Sequence, residues 1–256
     1  MTQPPYPGPA YPGPSYPGEL PESWDNVLPQ PGPPPPHHWP PSVPNHPRPS
    51  APARPADGLA AAAIISAVVI ALCSIVVTVS AWFARDDYLD AARRGLGGYY
   101  VDEPYEYVWF LAVVLFIPAY VITCLWLARV RINTEEFAPW ARQTRSRGWV
   151  WGGWVCPIVS FWFPLVIVRD VMRPAGTPRS ALLASWWSLW LVGICSFTFG
   201  FIAVSDEEPS MGAAKAMPII ETVHAAFMIG AALFWIRLIW IIRSDQNRVF
   251  ASRQSV

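Results

Sequence analysis

Glu221 and His224 stand three residues apart in an otherwise apolar stretch. That spacing puts them on one face of a helix, where a carboxylate and an imidazole can bind one metal ion or pass a proton. Inside a membrane an ionisable pair is a candidate for function, but one pair is half a site, and near the start of a span both groups can reach the outer headgroups instead. Arg169 and Asp170 offer an ion pair that orients the segment before them or contacts lipid phosphate; the plainer reading is an ordinary interfacial charge pair. His37, His38 and His46 are a weak signal for metal because they lie in a Pro-rich run. Cys73, Cys124, Cys156 and Cys195 fall in apolar stretches without CxxC spacing and read as small packing residues, not as a disulfide framework or zinc site. No GxSxG, Walker loop, HExxH or paired-carboxylate motif has suitable context. With no nucleophile or base in view, the expectation is a protein that is not an enzyme and holds no metal or cofactor.

The chain that must position these residues is 256 residues long, 53% hydrophobic and only 14% charged, against roughly a quarter charged in a soluble domain. Of its 30 prolines, 21 precede residue 57, so a polar Pro-rich tail is fused to a very apolar body. Net charge is zero and 17 of the 18 basic residues are Arg; nothing points to nucleic acid. Residues 1–57 carry a five-residue period that starts at Tyr6, Tyr11 and Tyr16, and later the run Pro33 to Pro36. Proline fixes φ and removes an N–H, and large aliphatics are nearly absent, so this tail is expected to be disordered, a mixture of polyproline II and coil. It is either a flexible spacer or a strip that docks its tyrosines in an aromatic-lined groove of a cytoplasmic partner. The first apolar run begins only near residue 58, so a cleaved signal peptide is not expected.

Four runs are apolar and long enough, at about 1.5 Å per residue, to cross roughly 30 Å of hydrocarbon: about 58–84, 107–128, 181–205 and 216–242. The fourth also holds Arg237, close enough to its inner end to snorkel. Arginines set the orientation, because basic residues beside short loops stay in the cytoplasm. Residues 129–179 hold eight Arg, whereas 85–106 hold three Arg against six acids and 206–215 one Lys against three acids. The acid-rich loops should face outward and both termini inward, the last residues, 244–256, forming a short cytoplasmic tail. Anionic headgroups are possible partners of the inner arginine collar, although the positive-inside signal is a sufficient reason for it.

The stretch 148–168 is apolar enough for a fifth span. Arginines flank it on both sides, and Gly152, Gly153, Pro157 and Pro164 interrupt any continuous helix. It reads as an interfacial or shallow re-entrant element, with Trp149, Trp151, Trp154 and Trp162 at headgroup level.

Trp126, Arg129, Arg131 and Asn133 at the end of the second run, then Gly148, Trp149, Gly153, Trp154, Pro157 and Pro164, form a pattern. It resembles a domain-of-unknown-function family of multi-pass membrane proteins, frequent in high-GC Gram-positive bacteria, over about residues 60–250. The end of the fourth run, Ile242 to Arg248 with Gln246, is similar too. Ser160 and Phe163 depart from the Asn and Arg usual in such proteins, so no polar role is carried over to them. The resemblance implies membrane location and four helices, and no established activity. The fold expected is therefore an all-α membrane protein: four transmembrane helices, a Trp/Gly/Pro-rich element between the second and third, and a disordered N-terminal tail (domains 1–57, 58–243 and 244–256). The expected role is a plasma-membrane interaction or scaffold module that displays its tail. The alternative is a small transporter or channel component using Glu221 and His224.

Overall fold

The computed structural model of the chain describes residues 52–96, 104–141, 143–175, 180–204 and 211–254. The tyrosine repeat at Tyr6, Tyr11 and Tyr16 lies outside the described residues. Among those described there is no strand, and four helices are long and apolar enough to cross a membrane. They are α1 (Asp57–Arg93), α2 (Pro104–Phe137), α5 (Ser180–Val204) and α6 (Met211–Gln254); two short helices, α3 (Trp149–Val155) and α4 (Phe163–Met172), come between α2 and α5. In hydrocarbon every backbone polar group needs an internal partner, and helices supply it within one segment.

Three helices outrun the apolar windows read from the sequence. Hydropathy marks where a helix is greasy, not where its hydrogen bonds end, so α1 continues through the charged residues to Arg93 and α2 through the arginine-bearing turn to Phe137. The C-terminal residues taken for a short tail prolong α6 as far as Gln254. Helix α1 stops in a Schellman motif: Gly95 adopts φ 67°, Leu96 N–H donates to Ala91 O at 3.0 Å and Gly95 N–H to Ala92 O at 3.3 Å.

The stretch 148–168 is not a fifth long helix. Cys156 is extended (φ −68°, ψ 119°), as the residue before Pro157 tends to be. Ile158 has φ 63°, uncommon for a β-branched residue, and a 3-10 turn at Val159–Phe161 precedes α4, which carries Pro164 in its first turn, where a missing N–H does no harm. The chain thus turns back on itself. At the crossing of α3 and α4 a Cβ on Gly153 would lie 3.2 Å from Phe163 Cβ and 3.4 Å from Ile167 Cδ1, so any larger residue would force these neighbours to shift by a few tenths of an ångström.

Helix α1 packs along α2 on one side and α6 on the other, and α6 packs along α5. An indole cluster ties the layers together. Trp126 of α2 meets Trp235 of α6 edge-on at 5.5 Å, Trp235 stacks on Trp186 of α5 at 4.7 Å, and Trp154 of α3 sits edge-on to Trp186, Trp187 and Trp190. The four tryptophans of the element 148–168 divide into two kinds. Trp149 and Trp154 pack against the core, and Trp151 and Trp162 are exposed.

Candidate functional site

Two polar clusters lie at opposite ends of the helices. The first gathers residues from the second half of α2, the end of α6 and the chain just before α1. Asn133 is fully buried. Its Oδ1 accepts Arg54 N–H at 3.0 Å, and its Nδ2 donates to Arg54 O at 2.9 Å and to Gln246 Oε1 at 2.8 Å. Both amide protons and the carbonyl oxygen are thus in use. Gln246 in turn donates to Val130 O at 2.8 Å. Three residues on, Asp57 accepts hydrogen bonds from Arg243 and, at 3.1 Å, from Asn247. The backbone entering α1 is thereby clasped between α2 and α6.

Arg131, also buried, donates through Nε to Glu135 at 3.0 Å and through its terminal nitrogens to the carbonyls of Ser146 and Arg145. Arg147 closes on the other oxygen of Glu135, with Nε at 2.8 Å. The guanidinium fork therefore fixes the turn that launches α3, a geometry lysine could not supply. Arg145 lies 4.3 Å from the ring centre of Phe163. Phe163 thus serves as a cation–π platform.

Asp170 is 2% exposed and accepts Thr144 N–H at 2.8 Å, the Thr144 hydroxyl, and Arg173 at 3.1 Å. The expected Arg169–Asp170 pair is corrected: Arg169 is exposed and the ion pair is made by Arg173. Successive helical residues point about 100° apart, whereas residues three apart share a face. The cysteine reading also changes. Cys124 is buried, with Sγ donating to Val150 O at 3.3 Å, but Cys156 and Cys195 are exposed.

The second cluster surrounds Glu221 and His224. Glu221 is buried; it accepts the Tyr105 hydroxyl at 2.9 Å, and Thr78 of α1 donates to its backbone carbonyl at 2.9 Å. His224 Nδ1 lies 2.9 Å from Gly193 O of α5. A carbonyl only accepts, so Nδ1 carries the proton. The two side chains share a helix face, as their spacing requires, but each is engaged with a different neighbouring helix. Both line a cavity of about 270 Å³ whose other walls are chiefly apolar. Tyr105 and Thr78 were not legible as partners of Glu221, since a tyrosine in an acid-rich segment and a threonine in an apolar run carry no local mark of a contact 116 or 143 residues away.

Among the other residues of the sequence pattern, Arg129 is half-buried, Gly148 is exposed and Pro164 is buried; Pro157 is exposed at the break before the 3-10 turn. Arg142, His37, His38 and His46 lie outside the described residues. In comparison with known proteins, residues 99–244 match the model of a family described as Domain of unknown function (DUF4328). No curated protein and no solved structure matches the chain.

Proposed function

The chain belongs to the DUF4328 family, and from that premise we propose that it is a non-enzymatic, multi-pass protein of the bacterial plasma membrane that presents its Pro/Tyr-rich N-terminal tail to a cytoplasmic partner. The observation that carries this reading is the clasp of Asn133, itself bonded to Gln246, on Arg54 just before α1. A spacer needs only a covalent link to its anchor. Here a fully buried amide bonds both the N–H and the C=O of Arg54, and Asp57 is tied to α6, so the chain is held at the residues that lead into α1. The weight of arginine in residues 129–179 puts that point, and both termini, in the cytoplasm, and anionic lipid headgroups are the natural counter-charge there. Proline-rich chain is low in conformational entropy, which suits it to capture by an aromatic-lined groove.

The test is a photo-crosslinking residue in place of Tyr11 in intact cells at native expression. One discrete protein adduct, absent when the same group replaces Ser252, is the expected result. No adduct from Tyr6, Tyr11 or Tyr16 would sink the display role. A second reading, a transporter or channel component, is favoured by one observation: Glu221 and His224 both line the smaller cavity. It requires a flux that survives loss of the tail and disappears in Glu221→Gln or His224→Ala.

A further inference from the structure

Helices α2 and α5 face each other through side chains. Phe116 stacks on Trp190 at 5.8 Å and Trp109 on Phe197 at 5.3 Å, and behind these rings lies a cavity of about 520 Å³. The smaller cavity, which ends at Glu221 and His224, adjoins it: Ile70, Phe116, Ile117, Ile194 and Met228 line both. Along α1 the lining runs from Ser66 to Val77, which at a rise of about 1.5 Å per residue is roughly 17 Å, close to one leaflet's share of about 30 Å of hydrocarbon. The space is long, narrow and nearly all apolar.

Water is a poor occupant. A buried water needs two to four polar partners; in the larger cavity the hydroxyls are confined to Ser66, Tyr120, Thr123 and Ser160, of which Ser66 and Tyr120 already donate to the carbonyls of Ala63 and Trp151, and the rest of its lining is mostly aliphatic and aromatic. The wall also opens sideways. Ile117, Val155 and Phe161 line the larger cavity and are 62%, 68% and 53% exposed, so in a bilayer the opening meets hydrocarbon. The segment that supplies Val155 and Phe161, residues 143–175, carries four exposed arginines, of which Arg147 is paired with Glu135 and Arg173 with Asp170, leaving Arg145 and Arg169 without a carboxylate partner among the described residues. The same segment thus contributes to the apolar wall of the slot and to an arginine-rich surface.

We propose that this slot binds one acyl chain of an anionic phospholipid, entering past Ile117, Val155 and Phe161 with its phosphate on the segment 143–175. The terminal methyl points toward Glu221 and His224. Volume, depth and apolar lining select a hydrocarbon chain, and the arginines select the charge of the headgroup. The site depends on the helices crossing a bilayer and not on any partner of the tail, so the two readings fail separately.

The experiment uses the full chain in nanodiscs containing phosphatidylglycerol with a diazirine at the end of one acyl chain. After irradiation, adducts are mapped by mass spectrometry. Adducts on Phe116, Phe197 and Met228 are expected, and filling the slot with Ala232→Phe, or from α1 with Ser66→Leu, should lower them about fivefold or more while those on the exposed Leu72 and Leu233 stay constant, a size of effect set by excluding a chain from a preformed site. Labelling that never exceeds the exposed positions, or that ignores both fillers, overturns the slot. Equal labelling of the slot by the matching phosphatidylcholine overturns the anionic headgroup.

Discussion

Asn133 and Asp170 are buried polar side chains with every contact accounted for, so truncating them leaves partners stranded. Asn133→Ala strips hydrogen bonds from the Arg54 peptide and the Gln246 amide, and orphaned buried groups of this kind cost about 1–3 kcal/mol. The expected outcome is a lower unfolding temperature in detergent together with amide exchange at Arg54 faster by about tenfold or more, the factor that corresponds to about 1.4 kcal/mol. Unchanged exchange at Arg54 would mean the clasp does not hold the root of the tail. For Asp170, the alanine variant should destabilise by about 1–3 kcal/mol and the asparagine variant by less, since the amide keeps an oxygen for Thr144 although its NH2 then faces Arg173 and that ion pair is lost; thermal unfolding of the two side by side decides it. These sites were half legible in the sequence. Asn133 and Arg131 stood out as letters of a pattern, but Arg54 is 79 residues from Asn133 and Gln246 is 113 away, and nothing local announces such partners. Arg169 was the wrong member of its pair for a simple reason: helix geometry selects i, i+3 over i, i+1.

The long helices were readable because twenty or so apolar residues without charge have one stable form in a bilayer, whereas their ends depended on caps and on contacts made after the apolar run stops. The broken element was readable as broken, from two glycines and two prolines, but not as a pair of helices crossed tightly at Gly153. That crossing is testable. Gly153→Val pushes a branched side chain into Phe163 and Ile167 and should destabilise by about 1–3 kcal/mol, the usual range for overpacking. Gly152→Ala meets only Trp149 at 3.6 Å, an ordinary contact, and should be close to neutral. If both variants unfold alike, the crossing does not govern the fold of this element. Its position in the bilayer is tested by single reporter cysteines at Gln143 and Thr177 in a Cys-free background. Labelling of both from the cytoplasmic side alone is expected; labelling of Thr177 from outside would put the C-terminus outside and end the proposed orientation.

The tail and the helices are joined by one polar junction, and that permits the two to be separated by where the chain is cut. The compact unit that contains the helices begins at Pro49, so a chain lacking residues 1–48 retains Arg54, Asp57 and the whole clasp. It should unfold at the same temperature as the full chain and lose the adducts made from Tyr11 together with the tail itself. A chain lacking residues 1–56 also loses Arg54, and with it the peptide group that satisfies Asn133. It should be destabilised by about as much as Asn133→Ala is in the full chain, and combining the two changes should add little, because both remove the same interaction. Additive losses would mean that Asn133 stabilises the helices through Gln246 alone and that the tail is merely attached. The non-additive outcome is the one a display role requires: the buried amide that helps close α2 against α6 is the same group that holds Arg54, so the helices and the residues leading into α1 are held by one set of hydrogen bonds.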